Sequence, residues 1–97
     1  MAEEKQFENK VKRYLKSKNI YNFKYFGNAY STPGILDLTL CIKGKFIGVE
    51  LKAEKGKVSP LQEYNIKRIE ESGGIAIVLR PSGFDNFKKI IEDLLEC

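Results

Sequence analysis

Apolar residues recur along this chain with two different periods, and the switches between them mark seven elements. Between Glu4 and Asn19, Phe7, Val11, Tyr14 and Leu15 share one side of a 3.6-residue helix, and Lys10, Lys12, Arg13 and Lys16 lie largely off that stripe. Tyr21 to Phe26 is rich in aromatic residues and predicts a first strand, whereas Gly27 to Gly34, with its Asn, Ser, Thr, Pro and Gly, predicts a loop. From Leu36 to Ala53 the period is two on either side of Lys43-Gly44, the pattern of a β-hairpin. A charged connection containing Gly56 follows, and Ser59-Pro60 then supplies a helix N-cap and a proline at the first helical position. That helix runs to about Ser72 and stops at Gly73-Gly74. Ile75 to Leu79 is a short unbroken apolar strand, and Pro81-Ser82 ends it. Phe84, Phe87, Ile90, Ile91, Leu94 and Leu95 mark a closing amphipathic helix. The order α-β-β-β-α-β-α, without repeats or low-complexity sequence, predicts an α/β fold, and 97 residues predict one domain with one small core.

The hairpin is where the pattern begins to imply chemistry. A two-residue turn at Lys43-Gly44 places Ile42 opposite Lys45, and counting back pairs Leu40 with Ile47, Leu38 with Val49 and Asp37 with Glu50. Leu36, Leu38, Leu40, Ile47, Val49 and Leu51 then share an apolar face, and Asp37, Glu50 and Lys52 share the other. Two carboxylates directly opposed across a strand pair sit roughly 5 Å apart and repel unless a cation lies between them. Hard divalent ions such as Mg²⁺ or Mn²⁺ take oxygen ligands, and a magnesium site needs only one or two protein carboxylates. Lys52, on the same face, is placed to hydrogen-bond an attacking water and to offset charge growing on a phosphorus. Asp, Glu and Lys are also ordinary residues of a solvated hairpin face, so the D…ExK spacing by itself leaves both readings open.

Two further positions bear on the same chemistry. Gln62 shares a helical face with Ile66 and Ile69, so its amide needs partners; it lies in the first turn of its helix, just after the strand carrying Glu50 and Lys52. It is either a partner for an active-site group or a half-exposed first-turn glutamine. Glu4 and Glu8 both border the apolar stripe of the first helix, where an inward carboxylate needs a partner, and either is a candidate third metal ligand. Glu4 is the one more readily explained by the helix dipole, which leaves Glu8 as the preferred candidate.

Composition narrows the field. There is no histidine, which removes Ser/His and Cys/His nucleophilic catalysis and histidine metal centres and leaves carboxylate and lysine chemistry. Net charge is +4, and the whole excess lies in residues 1–24, which hold seven basic and three acidic side chains. A basic segment there suits an anionic polymer, though a charge of this size is also common in soluble domains. Cys41 and Cys97 have no CxxC spacing and support neither a disulfide framework nor a zinc site. With no run of about 18 apolar residues and a charged amphipathic N-terminal segment in place of a signal sequence, a cytoplasmic protein without membrane contact is expected.

Taken in order, Phe7-Glu8-Asn9-Lys10-Val11, Gly34-Ile35-Leu36-Asp37, Val49-Glu50-Leu51-Lys52 and Ser59-Pro60-Leu61-Gln62 resemble the motifs of the PD-(D/E)XK nuclease superfamily. Within it the chain resembles the virus-type replication-repair nuclease domain, VRR-NUC, over nearly its whole length. The glutamine after the ExK strand and Gly73-Gly74 before an apolar strand carry that narrower likeness. One position departs: the proline that the motif places before the aspartate is Leu36 here, with Pro33 three residues upstream. Proline supplies backbone shape and no coordinating atom, so the difference concerns the loop more than the chemistry.

The resemblance implies a restriction-endonuclease-like core, a mixed central sheet flanked by helices. It implies that Asp37, Glu50 and the Leu51 backbone carbonyl bind Mg²⁺ or Mn²⁺, that Lys52 assists the water, and that Glu8 and Gln62 complete the site. Stand-alone domains of this kind are similar to phage-encoded homodimeric nucleases acting on branched DNA, including Holliday junctions, since paired nicks need two sites related by a two-fold axis. The aromatic strand 21–26 and the first helix are the candidate dimer surfaces. Two other readings remain: a catalytically silent DNA-binding or scaffold subunit, and a nuclease acting on duplex, flap or RNA substrates.

Overall fold

A computed structural model of the chain describes residues 2–26 and 33–97. The predicted loop 27–34 therefore lies, for its residues 27–32, outside the described residues.

Helix α1 (Ala2–Ser17) is followed by strands β1 (Tyr21–Lys24), β2 (Leu38–Ile42) and β3 (Lys45–Leu51). Helix α2 (Pro60–Glu71), strand β4 (Ile75–Leu79), a single 3₁₀ turn (Pro81–Gly83) and helix α3 (Phe84–Glu96) complete the chain. The strands form one sheet in the order β1-β2-β3-β4, with the first two pairings antiparallel and β3–β4 parallel. It is a mixed α/β architecture with helices on both faces of a mixed sheet.

Local chemistry explains the boundaries. Lys43 and Gly44 both take positive φ, 50° and 82°, as a two-residue hairpin turn with the native strand twist requires, and Ile42 faces Lys45 as the sequence predicts. Helix α1 ends in a Schellman motif: Asn19 adopts φ 57°, its N–H reaches the Lys16 carbonyl at 2.9 Å, and the Ile20 N–H reaches Leu15 at 3.0 Å. Helix α2 ends the same way, with Gly73 N–H on Glu70 and Gly74 N–H on Ile69.

The inner face of the sheet carries the core. Leu38, Leu40, Ile42, Ile47, Val49 and Leu79 meet Val11 and Leu15 of α1 and Phe84, Phe87 and Ile91 of α3. The closing helix turns its aromatic residues against α1, with Phe84 edge-on to Phe7 and to Tyr14 at ring separations of 6.1 and 5.9 Å. Helix α2 covers the other face only over β3 and β4, where Ile69 packs beside Gly48 and Gly74. Beyond α2, Tyr21 and Phe23 of β1 and Phe46 near the start of β3 are exposed on that outer face.

Leu36 departs from the expected alternation. The register holds from Leu38 to Ile42, but β2 begins at Leu38, and the chain bends at Asp37. Leu36 consequently turns to the outer face, where its Cδ1 and that of Ile69 occupy the space a side chain at Gly48 would need. The segment leading into it is held against α2: at Gly34, φ is 81°, and a Cβ there would lie 2.7 Å from the Leu61 backbone. Only glycine fits that approach.

Candidate active site

The bend at Asp37 and the C-terminal end of β3 bring the predicted residues together. Asp37 Oδ2 accepts a hydrogen bond from the Leu51 N–H at 2.9 Å, which fixes the carboxylate beside the strand that carries Glu50. Glu50 points to the outer face, toward the first turn of α2, and is only 3% exposed. There Gln62 Nε2 donates to Glu50 Oε2 at 2.7 Å, and Lys52 Nζ lies 3.6 Å from the same oxygen. Asp37, Glu50, Leu51 and Lys52 line one cleft of about 900 Å³, shared with Glu3, Glu4, Lys5, Phe7 and Glu8 of α1.

Gln62 has two functions at once. Its backbone N–H donates to Ser59 Oγ at 3.1 Å, and its side-chain Oε1 accepts from the Ser59 N–H at 3.0 Å, which makes a reciprocal capping box. The cap uses the amide oxygen and leaves the NH₂ free to hold Glu50. The Ser-x-x-Gln spacing that signals this cap is present in the sequence and extends the N-cap expected at Ser59.

Glu50 is under electrostatic stress. Burial raises its pKa, the charge of Asp37 raises it further, and Lys52 and the backbone N–H of Asp37 oppose both. Its Oε1 is buried and lacks a well-formed hydrogen bond among the described residues. A buried carboxylate with a poorly satisfied oxygen in the field of a second carboxylate is costly; protonation relieves that cost, and a hard cation bound between the two would do the same. Among the described residues no group of three His, Cys, Asp or Glu side chains converges, so the protein's side-chain donors here are the pair Asp37 and Glu50. Two carboxylates suffice for a magnesium-type site that keeps several waters.

Glu8 lies in the same cleft but is otherwise engaged. Lys24 Nζ meets its Oε1 at 2.8 Å, and Lys12 and Lys5 meet its Oε2 at 2.9 and 3.1 Å. Burial works against ionisation here, but the bonds from Lys24, Lys12 and Lys5 prevail and bring the Glu8 carboxyl down to about 2. Glu4 is exposed at the cleft edge.

The segment after Lys52 is fixed by residues that carry no signal in the sequence. The Lys52 N–H extends the ladder to the Leu79 carbonyl at 3.0 Å, and Arg80 donates to the Gly56 carbonyl at 2.6 Å. Glu54 accepts from both the backbone N–H and the hydroxyl of Ser82. The loop 53–57 is thus clamped onto the end of β4. A shallower hollow of about 290 Å³ between α2 and β3 is lined by Phe46, Asn65, Arg68, Ile69, Ser72 and Gly74 and contains no carboxylate. Among the described residues no helix is long and apolar enough to cross a membrane.

Comparison with protein-family models, with curated proteins and with solved structures returns no match.

Proposed function

We infer that the chain is a Mg²⁺- or Mn²⁺-dependent, structure-selective DNA endonuclease of the PD-(D/E)XK type, nearest to VRR-NUC domains, that acts on branched DNA as a homodimer. The observation that carries this reading is Glu50: buried, within the field of the Asp37 carboxylate, held by Gln62, and with one oxygen lacking a well-formed hydrogen bond among the described residues at the wall of an open cleft. Asp37 and Glu50, with the Leu51 carbonyl, would hold the ion, which when bound supplies Lewis-acid stabilisation of a phosphoryl oxygen. Lys52 brings positive charge to the place where negative charge develops on the scissile phosphate. Gln62 orients Glu50, and its own orientation comes from the helix cap. The exposed aromatic residues Tyr21, Phe23 and Phe46 on the outer face support two copies meeting there, as paired nicks across a junction require.

A non-cleaving DNA-binding subunit is the second reading, favoured by the three lysines that occupy Glu8. One experiment separates the two. A four-way DNA junction is incubated with the protein beside matched duplex and flap substrates, in Mg²⁺, Mn²⁺ or EDTA, with Glu50→Ala as control. The expected result is paired cuts near the crossover that need both the metal and Glu50. Binding without cleavage of any substrate supports the second reading, and equal cleavage of duplex removes the branched-DNA assignment.

A further inference from the structure

Glu8 is surrounded by more positive charge than it needs. A buried carboxylate is compensated by one counter-ion, yet three ammonium groups lie within 3.1 Å of this one. Three like charges gathered around two oxygens repel one another, and each long side chain loses rotamer freedom by being held there. Three lysines against one carboxylate leave the cluster with a formal excess of about two positive charges.

The placement of the cluster is specific. Lys5 and Glu8 line the cleft that holds Asp37 and Glu50. Lys24 ends β1 opposite Leu38, the residue next to Asp37, and its ammonium reaches Oε1 of Glu8, a residue of the cleft wall. The side chains of Lys12 and Lys24 are 35% and 25% exposed, and that of Lys5 is 61% exposed, so the cluster is accessible to a large anion. The Lys24 ammonium also lies 5.4 Å from the centre of the exposed Phe26 ring, which puts a π-face beside the charges. Clustered ammonium groups beside an exposed aromatic ring match a polynucleotide, whose phosphates and bases alternate.

We propose that Glu8 is a positioning residue which gathers Lys5, Lys12 and Lys24 into a phosphate-binding platform, and that its ligand is the phosphodiester backbone of the nucleic-acid strand led into the Asp37–Glu50 cleft. The proposal rests on the nuclease reading for the identity of the strand but not for the platform. Glu8 acts here through the lysines and not as a ligand to the metal.

The test measures binding of a fluorescein-labelled four-way DNA junction in EDTA across a range of NaCl concentrations. Parent protein is compared with Lys12→Gln, Lys24→Gln, the double variant and Glu8→Gln, and with Lys67→Gln on the exposed face of α2 as a charge control. Each platform lysine removed is expected to lower the slope of log K against log salt by about 0.9, beyond what Lys67→Gln does. Glu8→Gln raises the net charge by one unit and is nevertheless expected to weaken binding, because the lysines lose the group that holds them. Circular dichroism confirms that each variant is folded, and the glutamine substitutions keep much of each side chain. Parent-like affinity and slope in the double variant would overturn the proposal, as would tighter binding by Glu8→Gln. Should the parent fail to cut DNA while the lysine variants lose binding, the platform stands and the nuclease reading falls. Cleavage that needs Glu50 while binding ignores the lysines leaves the nuclease reading standing and removes the platform.

Discussion

At the scale of single residues, Glu50 and Glu8 show how the same functional group takes opposite roles from its surroundings. Both are buried, but Glu8 is given three ammonium partners, whereas Glu50 is given the Gln62 amide, the Asp37 backbone N–H, a lysine at 3.6 Å and a carboxylate neighbour. The environment of Glu50 therefore disfavours its own charge in the absence of metal. Glu50→Gln keeps an acceptor oxygen for Gln62 and removes the charge, so it is expected to raise the midpoint of thermal unfolding in EDTA while abolishing cleavage. The parent, in contrast, gains about 2.7 kcal/mol at a metal concentration one hundred times its Kd, and Glu50→Gln gains none. Thermal melts with and without Mg²⁺ read both effects; equal stabilisation of parent and variant by the ion would place it elsewhere.

At the scale of elements, what can be read from the sequence depends on whether a rule is local. The Lys43-Gly44 turn sets the register of β2 and β3, and Ser59-Pro60 sets the start of α2, because turn and cap chemistry act over two to four residues. Glu50 and Lys52 stand where that register places them, Gln62 reaches Glu50 from the first turn of α2, and Asp37, expected opposite Glu50, lies in the bend before the ladder and holds β3 through its carboxylate instead. Strand alternation misplaces Leu36 because the chain bends at Asp37, and the segment before the bend lies against α2 through Gly34 and Leu61, a contact across 27 positions of sequence. Of the partners of Glu8, Lys5 and Lys12 stand at i−3 and i+4 on its own helix, a spacing the sequence carries, whereas Lys24 reaches it from another element and is not legible. Arg80 and Glu54 are further cases of side chains whose contacts exist only after β4 has docked. The capping box predicts its own test. Ser59→Ala removes the acceptor for the Gln62 N–H and is expected to cost about 1 kcal/mol of stability. It is also expected to lower cleavage, because Gln62 reaches Glu50 from that cap. Gly34→Ala, at a position with φ 81° and no room for a Cβ, is expected to destabilise more than Ser59→Ala in the same urea titration. A tolerant Gly34→Ala would mean that the segment before Asp37 can re-seat itself.

For the whole molecule, the two buried carboxylates bend the pH dependence of stability in opposite directions. Glu8 has a folded value of about 2 against 4.5 for the free group, so the unfolded chain takes up its proton first as the medium is acidified. Its contribution is full above about pH 4.5 and is lost as pH falls toward 2, and a shift of that size corresponds to at most on the order of 3 kcal/mol, less the screening of its exposed lysine partners by solvent. Glu50 has the reverse sign: its folded value is raised, so the folded protein takes up the proton first, and acidification from neutrality toward 4.5 stabilises the metal-free state. Metal-free stability is therefore expected to rise slightly below neutral pH, to peak near or above pH 4.5, and to fall steeply below it. Urea unfolding measured at intervals from pH 7.5 to 2.5 in EDTA separates the two limbs through single variants. Glu50→Gln should flatten the rise and leave the acid fall, and Glu8→Gln should be less stable than the parent at pH 6 and converge with it as pH approaches 2. Because Glu8 joins α1 to β1 through Lys24, the acid limb should coincide with loss of α1 packing, seen as loss of near-ultraviolet signal from Tyr14. An acid limb that survives in Glu8→Gln would assign acid unfolding to the surface carboxylates and remove Glu8 as the link between the first helix and the sheet.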